Sequence, residues 1–405
     1  MAQIYPFQPY RYTDKAGPLA DLVTQPYDKI SLAMRERYLA LSPYNLVRVI
    51  LGERQATDSA ADNVYTRAAG HLNAWIASGV LARDAEPGVF PYFQEFTVPD
   101  TGERLVRKGF IALGKVEDYS AGVVHRHEQT LSGPKKDRAE LLRATHAHFG
   151  QIFMLYPDPA GVVDALLDET AKGAPLAEVV DEYGVAHRVW KRPDAAAVQG
   201  LMSDRKLLIA DGHHRYETAL AFRNENPDLK GADRVMMTFV NMHSPGLKIL
   251  ATHRLVSGLD EVPGSDWTPE GFRVQEIDSL EPLKQAWAKD GGRTVIGAAI
   301  GSRLLMLEYA EAKGELDVQV LHERLLGRAL GIGEEAVRDE RHLRYARGVD
   351  AAVEEVRKGT AQIAFLLKPV SVEQVADISF GGGVMPQKST DFYPKLLSGL
   401  TIYKI

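Results

Sequence analysis

The strongest constraint on the fold is one junction. The apolar run of "KLLIADG" (206–212) reads as a buried strand ending in a turn, and it continues directly as "HHRYETALAFRNEN" (213–226), which reads as a helix. Elements of both kinds recur along the chain, so the expected class is α+β. The junction also gathers an Asp, two His, an Arg and a Glu within residues 211–217. A strand followed by Gly212 and a helix start brings backbone N–H groups and the positive end of the helix dipole to one point, a ready anion site. Arg215, about one turn in, can add a bidentate phosphate contact. Asp211 suits either a metal or a proton. The same residues have a structural reading, with Asp211 as a cap, one His packed, and Arg215 paired with Glu217 or a distant carboxylate. The chemistry stays open at this point.

Elsewhere, periodicity predicts helices over 31–40 and 58–79, the second with Val64, Ala68, Leu72, Trp75 and Ile76 near helical spacing. "VFPYFQEFTV" and "RLVRKGFIALGKV" flank "PDTGE" and read as a β-hairpin, and "EVVDEYGVAHRVWKR" reads as a second one around 182–184. Strands are expected at "GQIFMLYP", "RVMMTFVNM", "LKILATHRLV", "RTVIGAAIG", "RLLMLEY" and "AQIAFLLKPV", with helices at "AGVVDALLDETAKG" and near 317–330 and 349–359.

At 405 residues the chain exceeds what one core usually serves. Its net charge of −6, without a basic block, gives no general attraction to nucleic acid. The absence of cysteine removes disulfides, thiolate metal sites and a Cys nucleophile together. With no signal-peptide pattern and no run of about 18 apolar residues, a soluble cytoplasmic protein without a membrane partner is expected.

Nine of the twelve histidines fall between His125 and His253. On a strand, His125 and His127 would share a face, as would His146 and His148, which is metal-ligand spacing but specifies no coordination shell. A hard cation such as Mg²⁺, held by Asp211 and phosphate oxygens, needs no such cage. "GGGVMPQKST" nearly fits the phosphate-loop pattern from Gly382, yet Gln387 stands where the second glycine belongs and Pro386 removes a backbone donor. It reads as a decoy that leaves Lys388 free for a phosphate contact of another kind. No dinucleotide fingerprint, nucleophile elbow or zincin helix is present.

"QPYDKIS" (25–31), "SPYNLVRVILGE" (42–53), "HEQTLSGPKKDRAELLRAT" (127–145), "FGQIFMLY" (149–156), "LIADGHHRYETAL" (208–220), "THRLV" (252–256) and "MPQKSTDFYPKLLSGL" (385–400) resemble the domain-of-unknown-function family 1015. That family supplies no settled activity. "DGHHR" after a buried strand is similar to the turn of free-serine kinases in the ParB/sulfiredoxin-like superfamily, where the turn engages nucleotide phosphate with its Asp near the transferred group. Those kinases carry an upstream His-Glu pair, and here "HRHEQT" offers Glu128 as base on the hydroxyl. The spacing departs from the compact kinases, with 83 positions between Glu128 and Asp211.

What the resemblance implies is a nucleotide-dependent phosphotransferase, a small-molecule kinase using ATP or ADP with Mg²⁺ on free L-serine, phosphoserine in reverse, or a similar hydroxyl metabolite. Asp211 would hold the metal, Glu128 would take the hydroxyl proton, and His213 or His214 would orient a phosphate oxygen or stabilise the leaving group. Gly212 and Arg215, with Lys135, Arg138 and Lys388, are the candidate phosphate contacts. Tyr27, Asp28, Tyr44 and Asn45, in Pro-fixed turns, and His127 are candidates for the substrate pocket, though structural turns explain the first four equally. Two alternatives stand beside the kinase: a metal-dependent phosphohydrolase using the His pairs, and a non-catalytic nucleotide-binding regulator. The expected architecture is a mixed sheet of ParB/sulfiredoxin type over 121–256. Residues 1–120 would pack on it, 257–360 would form a smaller appended α/β domain, and the strand and loop of 361–405 would return to the core. Oligomeric state is left open.

Overall fold

The computed structural model describes residues 1–128, 132–289, 293–309, 315–386 and 388–405. Its centre is a mixed nine-stranded sheet, ordered Val124–His125, Leu207–Asp211, Ile152–Tyr156, Arg234–Asn241, Arg104–Lys115, Phe90–Thr97, Ala186–Val189, Ala177–Val180, with Ile4–Tyr5 also pairing on Arg104–Lys115. Leu207–Asp211 runs parallel to Val124–His125 and antiparallel to Ile152–Tyr156. The central strands read as continuous apolar runs because both faces are covered. Alternate residues feed two cores: Phe153, Leu155, Leu208 and Ala210 enter one, Ile152, Met154, Leu207 and Ile209 the other. Helices Val162–Ala171, Ala196–Met202 and His213–Glu225 cover the second face through Val163, Leu167, Val198, Met202, Tyr216 and Ala219. Each fully buried Val, Leu or Met among these contributes about 1.5–3 kcal/mol.

A separate six-stranded antiparallel sheet is ordered Phe272–Ile277, Arg303–Tyr309, Thr294–Ile300, Ile363–Leu366, His253–Val256, Leu343–Ala346. Glu281–Ala288 and Val349–Arg357 pack on one face through Leu283, Val353 and Val356. The other face shares one continuous core with the large sheet. The molecule is thus α+β with a large mixed sheet and a smaller second sheet. Among the described residues, no helix is long and apolar enough to cross a membrane.

Both predicted hairpins form, Phe90–Thr97 with Arg104–Lys115 and Ala177–Val180 with Ala186–Val189. Three placements differ from the sequence reading. The first hairpin does not pack on the sheet; it lies in the middle of it. "LKILATHRLV" is two strands, since Lys248–Leu250 pairs with Asp391–Tyr393 whereas His253–Val256 joins the second sheet. The strand expected to return to the core, Ile363–Leu366, pairs inside the second sheet, and only the segment after it comes back. Periodicity reports which face a strand buries, not which strand lies beside it. The helix predicted over 58–79 begins at Val64, because Asn63 Oδ1 accepts from the Tyr65 and Thr66 N–H groups and caps it.

That returning C-terminal segment ties together segments that lie outside the strands of the large sheet. Met385 bridges Glu128, Ser398 bridges Thr24, Ile402 bridges Tyr10, and Tyr403–Lys404 pairs with Ala147–His148. Lys388 and Ser389 run into the strand Asp391–Tyr393 rather than into the helix a phosphate loop requires. Gln387, where the sequence departs from that pattern, lies outside the described residues, as do the "QTL" residues after Glu128.

Candidate functional site

The strand Leu207–Asp211 shifts register against Ile152–Tyr156 between Ile209 and Asp211, a bulge that re-aims the last side chain. Gly212 then turns the chain at φ 94°, and helix His213–Glu225 opens with the Tyr216 N–H donating to the Gly212 carbonyl (2.9 Å). The amides of the first turn have no acceptor within the helix. Arg215 folds back over the turn, its Nη2 3.0 Å from Asp211 Oδ2 and its Nη1 donating to the Gln151 carbonyl. A Cβ on Gly212 would stand 3.0 Å from that guanidinium, and one on Gly150 3.1 Å. Gly212→Ala is therefore expected to destabilise the protein by about 1–3 kcal/mol through left-handed strain and this contact. Urea unfolding would show a lower midpoint at unchanged slope; a midpoint equal to that of the parent would mean the turn relaxes freely.

Asp211 lies between two cations. Lys395 Nζ is 3.8 Å from its Oδ1, opposite Arg215. Burial pushes the Asp211 carboxyl up, but Lys395, Arg215 and Lys29 outweigh it and hold it well below the ordinary carboxylate range. Lys395 in turn meets Asp391 Oδ1 at 3.1 Å, and Asp391 is gripped by Arg347 through Nη2 (2.8 Å) and Nε. Burial pulls the Lys395 ammonium down, yet Asp211 and Asp391 keep it above its usual value. The backbone around Lys395 is held by Gln94 Nε2, which donates to the Lys395 carbonyl (2.8 Å), and by Arg107, which donates to the Pro394 carbonyl. Arg107 is buried and pushed down to about 9 by desolvation.

Beside the turn, buried His127 bridges two elements, Nδ1 to the Ile209 carbonyl and Nε2 to Thr390 Oγ1, both 2.8 Å. The carbonyl only accepts, so Nδ1 carries the proton. Burial pushes this imidazole down to about 4. Its ring lies 4.7 Å from that of His213, which burial also holds well below the ordinary His value. Among the described residues His213 Nε2 has no hydrogen-bond partner. Glu128 accepts from the Lys388 N–H (3.2 Å), and burial raises its carboxyl, with Asp211 adding to the rise and Lys388 opposing it. His214, also lowered by burial, lies in the field of Glu128, Glu217, Lys135 and Asp28. Buried Arg254, from the second sheet, donates to the Lys388 carbonyl at 3.0 Å, one peptide beyond the N–H that Glu128 accepts.

The remaining sequence candidates fall into two groups. Tyr27 lines a cleft with Pro26, Arg138, Phe149, Gly150 and Arg215, and the Arg138 guanidinium covers its ring at 4.1 Å. Asp28, one residue on, stands 3.7 Å from Lys29. Tyr44 and Asn45 are used by their own turn: Asn45 is fully buried, donating to the Asp21 carbonyl (2.8 Å) and accepting from Val47 (2.9 Å), and Tyr44 packs edge-on to Trp75 at 6.1 Å. Lys135 is paired with Glu217, and Arg138 with Asp137 and the Ile50 carbonyl, so neither is an uncommitted anion contact. Lys388 contributes its amide, while its ammonium lies 6.0 Å over the Tyr345 ring.

The His pairs do not converge. His125 reaches the Ser379 carbonyl, His146 packs on Phe222 and His148 stacks on Tyr403, so the pairs that the phosphohydrolase reading relied on point to different neighbours. Among the described residues no group of three or more His, Asp or Glu is placed to hold a metal ion. Mg²⁺ needs less from the protein: Asp211 Oδ1, beyond hydrogen-bond reach of Lys395 at 3.8 Å, fits as a single carboxylate ligand, with phosphate oxygens and water as the others.

Sequence reasoning missed Lys29, Arg107, Arg254, Arg347, Asp391 and Lys395. The signal for two of them was the C-terminal "TDFYPKLL", in which Asp391 and Lys395 sit one helical turn apart inside an otherwise apolar stretch.

Fold and site together define an α+β protein with a charged strand–glycine–helix turn beneath a C-terminal strap. The chain belongs to the family described as "Protein of unknown function (DUF1015)", whose model matches residues 4–310. Arg347, Asp391 and Lys395 lie beyond that segment. No curated protein matches the chain. Among solved structures it is similar to a free serine kinase variant in complex with ADP, at 15% identity and TM-score 0.37, over 69% of this chain and 89% of that one. It is also similar to a conserved hypothetical protein from Pyrococcus furiosus (16%, TM-score 0.35, 69% and 92%). SbnI from Staphylococcus aureus, truncated at its C-terminus, is a third (12%, TM-score 0.36, 72% and 87%).

Proposed function

We propose that the protein is a small-molecule kinase, a nucleotide-dependent phosphotransferase that acts, forward or in reverse, on free L-serine or a similar small hydroxyl metabolite. The observation that carries this reading is the pairing of two carboxylates of opposite character at one anion-binding turn. Asp211 is held ionised by Lys395 and Arg215, whereas half-buried Glu128 is raised by desolvation. Phosphoryl transfer asks mainly for positioning and charge neutralisation, which such a turn supplies.

In this reading the first-turn amides after Gly212 and the Arg215 guanidinium bind the phosphates, and His213 Nε2 donates to a phosphate oxygen. His214 lies at the rim and stabilises the leaving group. The cleft beside Tyr27 and Phe149 takes the nucleoside. Glu128, oriented by the Lys388 amide, accepts the proton of the attacking hydroxyl. Lys395 balances the charge of Asp211 so that phosphate can approach it. Mg²⁺, when bound at Asp211, supplies charge neutralisation on the transferred group. The donor is ATP or ADP.

Phosphorus NMR tests this with purified protein and Mg²⁺, run with L-serine plus ATP or ADP, and with phosphoserine plus ADP or AMP. New phosphoserine, or nucleotide phosphorylated at phosphoserine's expense, is expected. Inorganic phosphate released from phosphoserine without nucleotide would make the protein a phosphohydrolase. Nucleotide binding with no turnover in any tube would make it a regulator.

A further inference from the structure

The phosphate turn accounts for Arg215 and His213 but leaves a second cavity on the other side of Asp211 unexplained. It measures about 150 Å³ and is lined by Gln25, Lys29, Asp181, Arg347, Tyr393 and Lys395 among others. Lys29 ends the short turn Tyr27–Lys29, so one turn presents Tyr27 to the first cleft and Lys29 to this one. Three cations line it. Of these, Lys395 is consumed by Asp211 and Asp391.

The other two cations are paired but keep donors open. Arg347 uses Nε and Nη2 on Asp391, which leaves Nη1 without a hydrogen-bond partner among the described residues, and its side chain is 42% exposed. Among the described residues Lys29 forms one ion pair, with Asp28 at 3.7 Å, and its charge also reaches Asp211. The acid that lines the cavity, Asp181, is spent, and so is Asp391 behind Arg347 and Lys395. Asp181 receives Tyr183 N–H (2.9 Å) and Val185 N–H (3.0 Å) on Oδ1, and meets Gln25 Nε2 (3.1 Å) and His187 Nε2 (3.2 Å) on Oδ2. Those four contacts fill the roughly four acceptor positions of a carboxylate. Asp391 is closed by Arg347 and Lys395. The cavity therefore offers cationic donors without an open carboxylate, next to the carboxylate that the proposed reaction centres on.

We propose that this cavity binds the carboxylate of the acceptor, with Arg347 of the second sheet and Lys29 of the N-terminal turn as its two contacts. This rests on the kinase reading for the word acceptor. Guanidinium and ammonium donors converging on a small cavity fit a planar carboxylate. The acceptor class is a small hydroxy or amino-hydroxy acid, and an ammonium group is not required because Asp181 has no lone pair left for it. The second sheet is then part of the site, through the residue that follows strand Leu343–Ala346.

The test measures binding separately from turnover. Calorimetric titrations of the full-length protein with L-serine, glycerate and serinamide are compared with the phosphorus NMR assay on the same three compounds. L-serine and glycerate are expected to bind and serinamide to bind at least about tenfold more weakly, as loss of a charge-assisted contact costs. Arg347→Gln and Lys29→Gln should each weaken L-serine about tenfold; Lys29→Gln removes one ion pair, at 3.7 Å to Asp28, and an unchanged urea midpoint in that variant separates lost binding from lost stability. Serinamide binding as tightly as L-serine, or an unchanged L-serine affinity in Lys29→Gln, would overturn the proposal even if phosphoryl transfer is observed. Failure of both L-serine and glycerate to bind would overturn it as well. Carboxylate-dependent binding lost in Lys29→Gln, with no phosphoryl transfer to any compound, would leave the cavity assigned and sink the kinase reading instead.

Discussion

Asp211→Asn is expected to lower kcat for phosphoryl transfer on the order of 10²–10³-fold, the scale seen when one preorganised electrostatic contact to a transition state is lost. Nucleotide affinity should fall far less, because Arg215 and the first-turn amides remain. The variant should also be less stable by about 1–3 kcal/mol, since the Lys395 side chain is only 9% exposed and keeps Asp391 as its one ion-pair partner among the described residues. Rapid-quench kinetics and urea unfolding check the two effects. A variant that turns over normally would remove Asp211 from the chemistry and leave it as a structural partner of Lys395. The native carboxyl is held below its unfolded value, so its stabilising contribution is present above the ordinary carboxylate range. It is lost only as pH falls through that range toward the depressed native value.

Glu128→Gln should behave in the opposite way toward stability. Loss of the base is expected to cost about 10²–10⁴-fold in kcat, with nucleotide binding retained. Burial raises the Glu128 carboxyl in the folded chain. Stability from such a group is complete below its unfolded pKa and is lost as pH rises through the folded one, so at neutral pH the ionised side chain costs stability. The amide removes that cost, and Tm at neutral pH should stay level or rise while turnover collapses. In the parent, kcat/KM should fall on the acid side at a pH above that of an ordinary glutamate, and this limb should vanish in the variant. Parental turnover in Glu128→Gln would exclude the residue as the base.

The part of the site that could be read from the sequence is the part built by neighbours in the chain. Strand, Gly212 and helix follow one another, so Asp211, His213 and Arg215 had to sit at one turn, and the reach of Arg215 back to Asp211 spans only four positions. Glu128 came from the resemblance, and the structure brings it into the electrostatic range of Asp211. The pairing of the cationic candidates was invisible in the sequence for a consistent reason. Lys135 and Arg138 lie in a basic-looking stretch, but Glu217 and Asp137 neutralise them, the first from a different helix. Lys388 attracted attention as an ammonium, and what it supplies is a peptide N–H.

Sequence alone determined the mixed α and β class, both hairpins and the glycine-dependent turn, because propensity and period act within a few residues. Tertiary structure decided the strand neighbours, the transfer of Ile363–Leu366 to the second sheet, and the return of 385–405 across the first. It also decided the charge state of the turn, since Coulomb energy depends on distance in space rather than along the chain. Lys395, 184 positions beyond Asp211 in the sequence, ends 3.8 Å from its carboxylate.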